Sequence, residues 1–152
     1  MDPVLTAEDL TAFLTEVFPQ IEGEASIESV GPMTATMRLH VAERHLRPGG
    51  TISGPSMFML ADVAFYVAVL AMIGREPLTV TTGLSINFLR KPALADLIGS
   101  ARILKLGRTL AVGDATLYSE GDTRPVAHAT VTYAIPPKRS GAGAQSPAVS
   151  AQ

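Results

Sequence analysis

The sequence predicts an α+β fold, an antiparallel sheet wrapped around one long central helix, and three observations carry that prediction. Residues 54–74 read GPSMFMLADVAFYVAVLAMIG, with Asp62 the only charged side chain between Pro55 and Ile73. A helix apolar on every side has to be buried. Two segments before this run and four after it switch to a period of two, the alternation of strands with one buried face. The separators between the last strands, Gly107-Arg108 and the Glu120-Gly121-Asp122 cluster, are short enough for antiparallel hairpins. Strands grouped around one helix, rather than alternating with helices, argue against a parallel α/β sheet.

The elements follow in order. Thr6 with Asp9 three residues on is a capping signal, and Leu10, Phe13, Leu14 and Val17 recur at helical spacing, so an amphipathic helix is expected over 6–18, stopped by Pro19. Ala25, Ile27 and Val30 mark a first strand and Gly31-Pro32 a turn. Ala35, Met37, Leu39 and Val41, alternating with Thr36, Arg38 and His40, mark a second strand, and adjacency makes the two a hairpin. The segment ERHLRPGGTIS, 43–53, is rich in turn formers and leads into the apolar helix, a place where loops often carry function. Ser53 and Gly54 both suit an N-cap, Pro55 suits the first helical position, and Gly74 ends the helix. Strands are expected over 78–89, 97–106, 109–119 and 126–135. Residues 1–135 thus read as one domain. From Pro136 the composition turns to Pro, Lys, Arg, Ser, Gly, Ala and Gln, so 136–152 reads as a disordered tail.

Composition excludes several classes. The 152 residues are 47% hydrophobic and 17% charged with a formal charge of −2, so no basic footprint for nucleic acid exists. Without cysteine there is neither a disulfide framework nor a cysteine nucleophile, which accords with the expected cytoplasmic location. The opening MDPVLTAEDL is acidic and has no basic stretch before an apolar run, so no secretory leader is expected. The helix over 55–73 would span about 28 Å, enough to cross a membrane. Asp62 in its first half, and flanks without Lys/Arg clusters or aromatic belts, favour a core helix and no membrane partner. There is no GxSxG elbow, no P-loop and no clustered His/Glu pattern, so no metal or redox cofactor is expected. His40, His45 and His128 read as surface or strand residues. Asp62 is left as the anomaly: a lone acid on an apolar helix touches water at an edge, pairs with a cation or is kept for chemistry.

The run HLRPGGTISGPSMFMLADVAF, then TVTTGLSINFLRKP, then KLGRTLAVGDATLYSEGDTRPVAHATVTY, resembles the hotdog-fold acyl-CoA thioesterases of the phenylacetate-pathway (PaaI-like) group over 35–135. The resemblance implies a dimer whose two sheets join, often paired again into a tetramer, with acyl-CoA bound where subunits meet. It makes Gly54 the oxyanion donor, through its N–H at the positive helix end, and Asp62 the general base or nucleophile. Eight residues of helix separate these two by about 12 Å, so one site must combine Gly54 of one subunit with Asp62 of its partner.

Tyr66, one turn beyond Asp62, is placed to orient a water or the acyl group. The family's histidine-glycine-glycine before the helix is Ser53-Gly54-Pro55 here, and Arg47 stands where members commonly carry Asn or Gln. Arg47 would suit an acyl group bearing a carboxylate, or an oxyanion. The resemblance puts Arg90, with Lys91 beside it, and Arg108 at positions where the family often meets CoA phosphates, and Thr81, Thr82 and Asn87 lie on the strand after the helix, where they could line the site. Phe58, Phe65 and Tyr66 suit an aromatic or medium aliphatic acyl group, and by type they equally suit the core. Two other functional classes stay open: a binding module that keeps the CoA cleft without turnover, and a hydratase or dehydratase, ranked last because Ser53 replaces the histidine such enzymes use.

Overall fold

The structure, a computed structural model, describes residues 1–137, so the expected tail over 136–152 lies, from residue 138 on, outside the described residues. Helix α1 spans Ala7–Val17 and opens on a complete capping box: Asp9 N–H donates to Thr6 Oγ1 at 3.1 Å and Thr6 N–H to Asp9 Oδ2 at 3.0 Å. Those hydrogen bonds hold the Asp9 carboxyl below its usual range. Leu10, Phe13 and Leu14 are buried, and a 3-10 turn over Pro19–Ile21 follows.

Strands β1, Ala25–Gly31, and β2, Thr34–Leu39, form the expected hairpin. Pro32 and Met33 turn it, with Met33 in the left-handed region at φ 61°. Strand β2 stops at Leu39, short of the expected Val41, whose N–H donates instead to Asp96 Oδ1 at 3.0 Å. A two-rung hairpin, β3 over Leu46–Arg47 and β4 over Thr51–Ile52, leads into helix α2, Gly54–Ile73. Ser53 is its N-cap, so Pro55 stands at the second helical position rather than the first. Neither position has an intrahelical use for its N–H. Then come β5, Val80–Phe88; β6, Leu97–Leu106; β7, Leu110–Ser119; and β8, Pro125–Ala134.

The six long strands make one antiparallel sheet in the order β1-β2-β6-β7-β8-β5, which curls around α2. Helix α2 is long and apolar enough to cross a membrane, and in this fold the sheet covers most of it. The inner face of the sheet is built from small residues, Ala101, Ala111, Ala115, Ala127 and Ala129, which let the helix with its larger Leu60, Phe65 and Leu70 come close. Two glycines mark the tightest approaches. A Cβ on Gly99 would lie 3.0 Å from Leu60, and one on Gly113 would lie 2.6 Å from Phe65 and inside the Arg102 carbonyl. Phe65 fills that space and is fully buried, so it is core rather than a wall of a substrate site.

Two features of this architecture position the site. Along α2 one stripe escapes the sheet: Pro55, Phe58, Met59, Asp62 and Tyr66 are exposed or half-buried at spacings of three and four. The sheet also ends in unlike edges. Edge β1 presents Ser26, Glu28 and Ser29, whereas edge β5 carries exposed Val80 and Phe88, flanked by exposed Leu78 and Leu89. Gly113→Ala, which forces a methyl against both backbone and the Phe65 ring, is expected to cost about 2–3 kcal/mol, read as a lowered thermal midpoint.

Candidate active site

Asp62 is half-buried at the middle of the stripe, and the sheet holds it firmly. Thr81 Oγ1, from β5, donates to Asp62 Oδ1 at 2.7 Å, and Tyr133 OH, from β8, donates to the same oxygen at 2.7 Å and to the Asp62 carbonyl at 3.0 Å. Burial, then the Asp62 charge, pushes the Tyr133 phenol well above its ordinary range, so Tyr133 remains a donor. Both bonds fall on Oδ1, and among the described residues none engages Oδ2. The carboxylate thus has one oxygen fixed and one free. It opens on a cavity of about 420 Å³ whose walls include Val63, Tyr66, Pro77, Val80 and, from the C-terminal end of α1 and its cap, Val17 and Phe18. Tyr66 lies beside Asp62, its hydroxyl donating to the Pro77 carbonyl at 3.4 Å and its phenol pushed up by burial. Thr79 Oγ1, on the same cavity, is buried with no partner among the described residues.

Gly54 lies at the other end of β5. It lines an apolar depression with Pro55, Phe58, Ile86 and Phe88, and a Cβ there would lie 3.3 Å from the Phe88 ring. Ser53 caps the helix by accepting from Ser56 N–H at 3.2 Å, and its hydroxyl donates to Ser56 Oγ at 2.9 Å. No hydrogen bond among the described residues uses Gly54 N–H. It is a free donor at the positive end of a 20-residue helix.

The loop before Gly54 is pinned by a residue whose role spacing did not reveal. His45, expected at the surface or in a strand, is 4% exposed and closes a 3-10 turn over Glu43–His45. Its Nδ1 accepts from Ala42 N–H at 2.9 Å, its Nε2 donates to Glu24 Oε1 at 3.0 Å, and its carbonyl accepts from Ser53 N–H at 2.8 Å. Glu24, which also accepts from Arg44 Nε at 2.6 Å, is held below the usual carboxylate range, first by His45 and then by Arg44.

The remaining expected site residues fall in several places. Arg47 is exposed in β3, with no ion pair among the described residues. Thr81 contacts Asp62, whereas Thr82 is the extra residue of a β-bulge, exposed and bonded to the Thr132 carbonyl at 3.3 Å. Arg90 is exposed past the Phe88 end of β5, its Nε donating to the Pro125 carbonyl at 3.0 Å, and Lys91 and Asn87 are exposed. Arg108 borders a separate cavity of about 800 Å³ at the far end of α2, with Met72, Glu76 and Thr109.

Comparison with known proteins identifies the family. The thioesterase superfamily model matches residues 49–126, which hold Gly54, Asp62 and Thr81. The chain belongs to the thioesterase superfamily. It has the hotdog fold, and thioester hydrolysis is its chemistry. A provisionally named thioesterase from Silicibacter sp. TM1040 is 61% identical, with 90% of this chain and 96% of that one covered at a TM-score of 0.84. The phenylacetic acid degradation protein PaaI from Thermus thermophilus, in a mutant structure, is 27% identical over 77% of this chain and 98% of that one, with a TM-score of 0.67. At 24% identity, a hypothetical thioesterase from Streptococcus pneumoniae TIGR4, solved with coenzyme A, shares the fold over 88% of this chain and 98% of that one, at a TM-score of 0.70.

Tyr133 was not among the expected site residues of this thioesterase, although the alternation of β8 turns it inward with Ala127, Ala129 and Val131. Its bond to a residue 71 positions earlier is a property of the topology. The Glu24 network gives a pH prediction. Because the folded carboxyl titrates below its unfolded value, its contribution to stability is full above about pH 5 and is lost as pH falls through the folded value. The urea midpoint of the wild type should exceed that of Glu24→Gln by a constant gap above about pH 5, and the gap should close as pH falls through the lowered folded value.

Proposed function

We propose that this thioesterase hydrolyses acyl-CoA esters of PaaI-like type, at a site made of Asp62 from one subunit and Gly54 from its partner. The observation that carries the proposal is the course of β5, which starts at Asp62, through Thr81, and ends at Gly54, through Phe88, with its outer edge unpaired. Two copies of a strand that pair edge to edge about a two-fold axis run antiparallel. Centred on Leu84, such pairing sets Thr81 opposite Asn87 and Val80 opposite Phe88. The Asp62 end of each subunit then meets the Gly54 end of the other, and the exposed apolar residues of β5 and the α2 stripe are covered. An unpaired apolar edge is otherwise a hazard.

In this site Asp62 Oδ2 takes a proton from a water whose oxygen attacks the thioester carbon. The carbonyl electrons move to its oxygen, which accepts from Gly54 N–H of the partner subunit, aided by the positive end of that subunit's α2. When the tetrahedral species collapses, the C–S bond breaks and the CoA thiolate recovers the proton from Asp62. Direct attack by Oδ2, with water opening the resulting anhydride, uses the same geometry. Thr81 and Tyr133 aim the carboxylate in either case. Arg47, whose guanidinium has no partner among the described residues, and Arg90, near the Gly54 end, suit the anionic parts of the ligand. The coenzyme A of the Streptococcus pneumoniae fold neighbour and the PaaI likeness support a CoA ester, and the rings of Tyr66 and Phe18 suit an aromatic or medium aliphatic acyl group.

Asp62→Asn is expected to lower kcat for CoA release from a panel of acyl-CoA esters by about 10²–10⁴-fold while the protein stays folded. Full rate in that variant would reject the mechanism, and binding without turnover in the wild type would favour a non-catalytic binding module. Gly54→Pro removes the donor and is expected to lower kcat by about 10²-fold or more. Mixing the two impaired variants under conditions of subunit exchange should restore about a quarter of the wild-type rate, because about half of the dimers are mixed and each has one intact site. No recovery despite exchange would mean that the site lies within one chain.

A further inference from the structure

Nothing so far accounts for α1, which lies outside the residues that the family model matches and yet walls the Asp62 cavity. Its placement is fixed at both ends. At the start, Val4 N–H and Leu5 N–H both donate to the Ala71 carbonyl, at 2.7 and 3.3 Å, which ties the chain to the last turns of α2. Asp9 and Arg75 add an ion pair at 3.9 Å, and Leu10, Phe13 and Leu14 sink into the core. From that anchor α1 returns along α2 for 11 residues, about 16 Å, while Ala71 to Asp62 is nine residues, about 13 Å. The C-terminal end of α1 therefore arrives at the carboxylate.

That end is rigid. Phe18 N–H donates to the Leu14 carbonyl at 2.7 Å, the Phe18 carbonyl accepts from Ile21 N–H at 3.1 Å, and Pro19 prevents the helix from continuing. Val17 completes the apolar spacing of α1 but remains 38% exposed, because its side chain borders the cavity and not the core. A hydrophobic residue left open at a cavity mouth beside a reactive carboxylate has a ligand's apolar body as its natural cover.

We infer that Val17 and Phe18 are specificity-determining residues: they form the wall against which the acyl group ends, and so set the length and bulk of acyl group that this thioesterase accepts. The inference rests on the reading of Asp62 as the place of thioester cleavage. It divides the molecule into a reaction centre within the family-matched segment and a measuring wall outside it. Acyl groups that fit between Asp62 and α1 pack on Val17, Phe18 and the Tyr66 ring, and longer ones collide with a helix end that cannot yield.

The test compares ratios of kcat/KM along a series of straight-chain and aryl acyl-CoA esters for the wild type, Phe18→Ala and Val17→Phe. Phe18→Ala should shift the ratio of longer to shorter esters about tenfold toward the longer, and Val17→Phe should shift it the opposite way. A merely structural role would lower all esters together. Unchanged ratios in both variants, with turnover still dependent on Asp62, would overturn the inference and leave the proposed function standing. If the wild type hydrolyses none of the esters, the same ratios are read from the affinities of non-hydrolysable acyl-thioether CoA analogues. Opposite shifts then support the wall without the chemistry, and unchanged ratios reject it.

Discussion

A carboxylate on a helix that is otherwise apolar is the constraint on which the site depends. Asp62 cannot be dropped into the core unpaired, and the fold meets that need by bringing two hydroxyls to one of its oxygens, Thr81 from β5 and Tyr133 from β8. The same two bonds fasten α2 to the sheet beside its edge. Because both fall on Oδ1, the charge is satisfied while Oδ2 keeps no partner among the described residues, which is the oxygen the proposed reading uses. Close packing makes the arrangement stiff: Phe65, one turn along from Asp62, packs its ring tilted against that of Tyr133, centroids 5.5 Å apart, and sits in the space that Gly113 leaves open.

That stiffness makes the distance from Asp62 to Gly54 a real obstacle rather than something motion removes. A helix cannot bend its own first turn onto its third, and β5, which runs from one to the other, is straight apart from the bulge at Thr82. On the proposed reading, the obstacle turns into a requirement for symmetry: a two-fold axis through the middle of β5 exchanges the strand's two ends, and with them the acid and the donor. The bulge then has a consequence. It lets Thr81 face Asp62 while Leu84, Ile86 and Phe88, after the shift in phase, also face α2.

How much of this was legible in the sequence follows from the range of each interaction. The capping box of α1, the apolar helix, the antiparallel hairpins and the strands at 97–106, 110–119 and 125–134 depend on neighbours in sequence, and periodicity reads them. Asp62 stood out because it broke a pattern. Tyr133 and His45 did not, because each completes a pattern of its own, an inward strand residue in one case and a polar loop residue in the other. Their partners lie 71 and 21 positions away. Phe65 shows a different limit: an aromatic one turn beyond the helix acid suits a substrate wall or the core equally by type, and the space that Gly113 leaves, on a strand paired elsewhere, decides for the core.

Thr82 and Arg108 show what register and topology add. A strand read as strictly alternating would put Thr81 and Thr82 on opposite faces without saying which, and the bulge settles the question in favour of Thr81. Arg108 sits in a turn next to the end of α2, away from both Asp62 and Gly54 within one subunit. The same physics separates what a family can share from what one member can vary. The cap at Ser53, the helix and the strand after it are coupled through buried contacts, so a change at one forces changes at the others. Helix α1 rests on this core through one apolar face and a pair of backbone hydrogen bonds, and the side chain of Val17, its last residue, is left to the cavity and solvent. Substitutions at Val17 therefore alter the volume above Asp62 without touching the bonds to its Oδ1, and on the proposed reading that places the freedom to change substrate where it costs the fold least.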